Sequence, residues 1–265
     1  VIMKNKNKLI AVLSVVIVVL MIIILILLIK KGIPVNSKKD VVTSAYAYVG
    51  NSDLHKCDGL VMYNKDKVTK DTLDNTTKIC LSYTLLDVKG EEIKLNKNNK
   101  DNLCTLKDNM VFALDNYEGD ICTVTKVSKD DVHKQYKAVF GEELKTDESF
   151  KLDNVSICHY SDDYYYCGLS EKYTYTIGGE PHTFRTIKNS YKKDDKLIIY
   201  DYFLKVINDE CYTSFMTNDK KDKCTKKYDS KKDVNYNFMK RYGTLYKHTF
   251  QKDGDNYYWV SSEQS

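Results

Sequence analysis

The eight cysteines carry the most legible chemistry in the chain: Cys57, Cys80, Cys104, Cys122, Cys158, Cys167, Cys211 and Cys224. An even number in one polar stretch is the pattern of disulfides formed in an oxidising compartment; the alternative is eight reduced cysteines acting as small buried hydrophobes. No C-x-x-C pair occurs, so neither a zinc ribbon nor a thioredoxin-type redox site is supported. Cys158 and Cys167 lie on either side of Ser161-Asp162-Asp163. If Asp162-Asp163 is a two-residue turn, strands over 155–160 and 164–168 pair, and Cys158 falls opposite Cys167. Counting outward makes this a non-hydrogen-bonded pair, with Cα atoms about 4.5 Å apart, within disulfide reach. Cys211 and Cys224 form a second local pair. The remaining four allow three connectivities, among which the spacing does not choose.

Other reactive groups lack partners in the sequence. His55 is near Cys57 and His159 adjoins Cys158, but neighbours along a strand point to opposite faces, so these read as surface histidines beside disulfides. His182 follows the turn-like Gly178-Gly179-Glu180-Pro181. There is no H-E-x-x-H, G-x-S-x-G, P-loop or G-x-G-x-x-G. We expect no catalytic site, no metal and no cofactor from sequence. Aromatic residues are the remaining lead. Tyr164, Tyr165, Tyr166, Tyr173 and Tyr175 cluster, with Tyr200 and Tyr202 on another strand. Exposed tyrosines stack on sugars or form protein-binding surfaces; the competing expectation is that they pack sheet faces.

Residues 9–29, LIAVLSVVIVVLMIIILILLI, are apolar except for Ser14. At 1.5 Å per residue they span roughly 32 Å as a helix, enough for a hydrocarbon core of about 30 Å. Lys4, Lys6 and Lys8 precede the run and Lys30 and Lys31 follow it. The expectation is a transmembrane helix over 9–29 that anchors the chain in a lipid bilayer, after a cytoplasmic tail over 1–8. A cleaved signal peptide is the rival; those have shorter apolar cores and an A-x-A-like site, which KKGIPVNSKKD lacks. Flanking lysines are balanced, so orientation rests on the cysteines, all of which follow the run: N-terminus cytoplasmic, residues 30–265 extracytoplasmic. A tail of eight residues holds no output domain.

The net charge of +4 comes from the anchor. Without its five flanking lysines, residues 32–265 carry 36 basic and 37 acidic residues, a net of −1. Lys220-Lys221 and Lys226-Lys227 are interleaved with Asp219, Asp222 and Asp229, which reads as a mixed-charge solvated face, and nucleic acid is not an expected partner. Richness in Lys, Asn, Ile and Tyr matches an AT-rich genome. The Asn75-Thr76-Thr77 and Asn154-Val155-Ser156 sequons read as chance matches.

Three segments share Ser, Lys, Asp, Val and Gly at equal spacing: 37–50, 128–141 and 230–243. Each predicts a short helix with Ser37, Ser128 or Ser230 as N-cap, Asp40, Asp131 or Asp233 in the first turn, and Gly50, Gly141 or Gly243 ending it. Internal duplication and convergent capping compete; the sequence after each glycine does not align, which favours convergent capping. Hairpins are expected over 183–192 with 196–207 and over 244–252 with 255–262, the latter turning at Asp253-Gly254, so that Phe250 faces Tyr257 and His248 faces Trp259. Tyr246, Phe250, Tyr257 and Trp259 then share the core face. KLIIYDYFLKVI (196–207) is too apolar for an edge strand. TTKICLSYTLLDV (76–88) is ambiguous between helix and strand.

The expected fold is an α+β domain of antiparallel, meander-like sheets and a few short helices over 37–265, joined to the anchor by a linker over 30–36. It is one core or two lobes, 37–127 and 128–265. The functional expectation is a non-catalytic binding or structural module of the cell envelope, with an envelope protein or glycan as partner. The alternative is a membrane-tethered hydrolase, which requires His, Asp or Glu side chains converging in a cleft.

Overall fold

The apolar run keeps helical backbone where it is described. The computed structural model describes residues 13–26, 32–49, 57, 61–98, 102–107, 110–115, 119–171, 182–214, 220–230 and 234–265. Residues 13–26 form helix α1, and its large apolar side chains are exposed from Leu13 to Ile26. Among the described residues no helix is long and apolar enough to cross a membrane. The ends of the expected span, 9–12 and 27–29, lie outside them, as do His55, Tyr173 and Tyr175.

The remainder is a mixed α/β fold with antiparallel sheets. β11 (Lys196–Ile207) is central, between β10 (His182–Lys193) and β13 (Thr244–Asp253). Leu197, Ile199 and Phe203 face one layer, while Tyr202, Leu204 and Val206 face another. Burial of both faces is why this strand is apolar almost throughout. β1 (Ile33–Val35) adds to the outer side of β10. β14 (Asn256–Gln264) pairs with β13, β2 (Val68–Thr69) borders β14, and β12 (Glu210–Tyr212) folds back on the end of β11.

The β13–β14 register differs from the sequence expectation. The turn is Gly254-Asp255, with Asp253 facing Asn256. Gly254 takes φ +58° there, a backbone state open to glycine without steric cost, and this moves the turn one residue along. Phe250 therefore faces Trp259, and a bulge past it brings Ser262, not Trp259, opposite His248. Tyr246, Phe250, Tyr257 and Trp259 are all buried.

The second sheet runs β3 (Glu91–Asn96), β6 (Ile121–Ser128), β9 (Tyr164–Leu169), β8 (Ser156–Ser161), β7 (Phe150–Lys151), and β4 (Leu103–Thr105) pairs with β5 (Val111–Ala113) beside it. Asp162 and Asp163 both take positive φ, the backbone of a type I′ turn. That turn puts Cys158 opposite Cys167, with Cα atoms 4.0 Å apart and the sulfurs bonded. The other bridges are Cys57–Cys80, Cys104–Cys122 and Cys211–Cys224. β6 runs through residues 127 and 128 and pairs with β9, so the strands of this sheet come from both sides of that point.

The three similar segments do not behave alike. In α4 (Lys129–Phe140) Ser128 caps the Asp130 N–H and Gly141 ends the helix at φ +67°, as the pattern requires. In α2 (Asp40–Ala47) the N-cap is Lys39, with no side-chain cap from Ser37. α6 (Tyr236–Tyr242) begins after Asn235, which accepts from the Phe238 N–H, and Gly243 is extended at φ −64°. Asn235 is itself a strong cap, so the start moves five residues past Ser230. The ambiguous 76–88 stretch contributes to α3 (Asn75–Thr84), because Asp74 caps it. Asp74 accepts from the Thr77 N–H and from both the Thr76 and Thr77 hydroxyls.

Partial burial alone would raise the Asp74 pKa, but these hydrogen bonds outweigh it and hold the carboxyl below its usual range. A depressed folded pKa contributes stability above the unfolded value of about 3.9, lost as pH falls through the folded one. Asp74→Ala should cost about 1 kcal/mol at pH 7. In urea unfolding, that difference should shrink below about pH 3; an equal gap at both pH values would contradict the cap.

Three cores result. The largest lies between the two sheets: Val132, Phe140 and Ile79 from α4 and α3 meet Phe250 and Trp259 of one sheet and Tyr165 and Cys158 of the other. A second packs Phe112 and Cys104 against Val124 and Tyr166. The third, on the outer face of β11, holds Met239 of α6 and the Cys211–Cys224 bridge. A small fourth cluster packs Tyr63, Phe203 and Tyr246 together, and each of the other three holds at least one disulfide.

Candidate functional site

Asp201 is the one acid in the apolar strand β11, and it is buried completely. An ionised carboxylate there must be satisfied. Its Oδ2 accepts from the hydroxyls of Tyr46 on α2 and Tyr63, each at 2.6 Å. Its Oδ1 lies 2.9 Å from His248 Nε2 on β13. His248 Nδ1 is 2.6 Å from Ser262 Oγ on β14, and Ser262 Oγ accepts from Trp259 Nε1–H at 2.9 Å. Every group is satisfied with a neutral imidazole: Ser262 donates to Nδ1, and Nε2–H donates to the carboxylate.

Arg185 of β10 stacks over Tyr46 and Tyr63, its guanidinium carbon 5.2 and 5.8 Å from the ring centroids. Burial works against its charge; the tyrosines and then Asp201 more than offset that and raise its pKa. Burial, with the charge of Asp201 among the further causes, pushes both tyrosine hydroxyls well above the usual phenol range. They remain donors.

Ser262, His248 and Asp201 thus form a serine–imidazole–carboxylate chain. Such a chain is catalytic only if the hydroxyl reaches a substrate. Here all three residues and Trp259 are 0% exposed. Cavities of about 400, 610 and 210 Å³ lie elsewhere, and none of the three is lined by a member of the chain. What the geometry does is lock register: it ties α2, the Tyr63 turn, β11, β13 and β14 at one point.

Among the described residues of the tyrosine cluster, Tyr164, Tyr165 and Tyr166 offer little open face. Tyr165 and Tyr166 are buried in opposite cores, because consecutive strand residues point to opposite sides. Tyr164 is half-buried, with Lys126 Nζ 4.2 Å from its ring centroid. Tyr164–Tyr166 thus pack on the two faces of the sheet. Tyr165 instead donates to Asp147 Oδ1 at 2.5 Å, where His133 Nε2 also lies at 2.9 Å. His159 points away from the Cys158 bridge, its ring 5.4 Å from that of Phe112. Among the described residues no group of His, Cys, Asp and Glu could hold a metal ion.

The cleft of about 610 Å³ has a different character. It lies between α5 (Asp222–Thr225) and the end of α6, lined by Lys220, Lys221, Lys223, Lys226, Lys227 and Arg241, with Cys224 and Tyr242. Lys221 Nζ donates to the Tyr242 carbonyl at 2.6 Å, and its burial lowers its pKa. The sequence showed these lysines as an interleaved run; the fold gathers them around one concavity. Comparison of the chain with protein-family models, with curated proteins and with solved structures gives no match.

Proposed function

We propose that this protein is a membrane-anchored, extracytoplasmic binding module of the cell envelope, with residues 9–29 as its single transmembrane helix. The observation that carries the binding reading over the hydrolase is the complete burial of Ser262, His248 and Asp201 among the described residues. Anchoring is supported by the exposed apolar face of α1 on all sides, which protein does not cover and lipid would. The extracytoplasmic placement is supported by the four disulfides. Photo-crosslinking of the full chain in intact envelopes should recover a discrete adduct. A fluorophosphonate serine-hydrolase probe should leave Ser262 unlabelled; labelling at Ser262 would favour the enzyme.

A further inference from the structure

The long hairpin has two ends, and the chain uses them differently. Ile33 pairs with Lys192, so the segment arriving from α1 joins the sheet beside the β10–β11 turn. Cys211 pairs with Val206 at the other end of β11, and Cys224 is bonded to Cys211. From Leu197 to Val206 the strand covers about 30 Å at ~3.3 Å per residue. The lysine-lined cleft therefore sits at the end of the sheet away from the anchor.

Its charge is available. Lys223, Lys226, Lys227 and Arg241 are exposed. Among the described residues no ion pair involves them, whereas Lys220 is bound to Glu210. Arg241 is held with its guanidinium carbon 5.4 Å from the Tyr242 ring centroid. The Cys211–Cys224 bridge and the Lys221–Tyr242 bond fix the cleft's two walls against β12 and α6. Lys223, Lys226, Lys227 and Arg241 around this concavity outnumber Asp222 and Asp229, which are interleaved with them in sequence, and on a domain otherwise balanced in charge that excess focuses a positive field there. Lysine ammonium groups are point charges with rotatable donors, suited to phosphate oxygens in a flexible chain; planar carboxylates favour arginine forks.

We propose that this cleft is a membrane-distal binding site for a linear phosphate-bearing polyanion of the envelope. The location rests on the anchored reading above; the charge of the cleft does not. The cleft lies ~30 Å along β11 from the point where the chain enters the sheet. The cations are spread over α5, the residues after it and the end of α6, an arrangement that meets successive phosphates of one chain rather than a single head group.

The test uses the full chain in nanodiscs of zwitterionic lipid and long-chain inorganic polyphosphate as the probe. The parent should bind, with affinity falling as salt rises. The variant K223Q/K226Q/K227Q/R241Q should bind at least tenfold more weakly, with a log–log salt slope shallower by about 3 if four contacts are lost. A control of equal charge, K38Q/K39Q/K89Q/K145Q, changes exposed lysines elsewhere and should lose less than threefold. If the cleft variant does not fold, K226Q/K227Q should still lose threefold or more. Absence of binding by the parent, equal loss in the control, equal binding of poly-glutamate, or a preference for anionic vesicles over polyphosphate would each overturn the proposal. Because the lipid is neutral, the assay reads the cleft without testing how the chain is anchored.

Discussion

Asp201→Ala should lower the stability of the domain by about 3–5 kcal/mol, the cost of removing one partner from a buried charged network. The substitution strands three donors at once, the Tyr46 and Tyr63 hydroxyls and His248 Nε2–H, and removes the carboxylate that helps hold the Arg185 charge beside them. Each orphaned buried donor costs about 1–3 kcal/mol. Tyr46→Phe, at a half-buried position with one bond to lose, should cost only about 1 kcal/mol. Urea unfolding without reductant measures both. An Asp201→Ala loss under about 1 kcal/mol would mean that the carboxylate does not organise this core.

Reduction should have the larger effect. The bridges close separate, consecutive loops, with sequence separations of 23, 18, 9 and 13 residues. Because the loops do not overlap, their constraints on the unfolded chain are nearly independent. Each contributes about 2–4 kcal/mol, the shortest the least. Together they amount to something on the order of 10 kcal/mol, comparable with the whole stability of a typical domain. Full reduction and alkylation should lower the Tm by roughly 20 °C or more, or leave the domain unfolded at room temperature. An unchanged Tm with all eight thiols alkylated would show that the cores suffice alone.

Local chemistry was the legible part of the sequence. Asp162-Asp163 as a turn gives the Cys158–Cys167 register by counting, because side chains alternate and the turn length is fixed. The apolar composition of 196–207 places that strand inside a sheet. Ser128 and Gly141 frame α4 because both caps act within one turn of chain. What failed was competition between near-equal local signals. Asn235 displaced Ser230 as a cap, and the positive φ of Gly254 moved a turn and with it the register. The buried network was half visible: one acid within an apolar central strand has to find partners. Its partners Tyr46, Tyr63, His248 and Ser262 lie 155, 138, 47 and 61 positions from Asp201 in sequence, and only the fold brings them together. The cleft was hidden for the opposite reason: its lysines are adjacent in sequence, but acids alternate with them, and the sequence does not say which charges share a concave face.

We propose a membrane-anchored domain folded outside the cytoplasm with all its cysteines bonded. Intact cells expressing the full chain should be treated with an external protease, then fractionated, and the domain mapped by mass spectrometry without reduction. The domain should be digested from outside, a fragment containing residues 9–29 should stay in the membrane, and the peptide carrying Cys158 should be linked to the peptide carrying Cys167. Full protection of the domain, or free thiols at those two positions, would contradict the proposal.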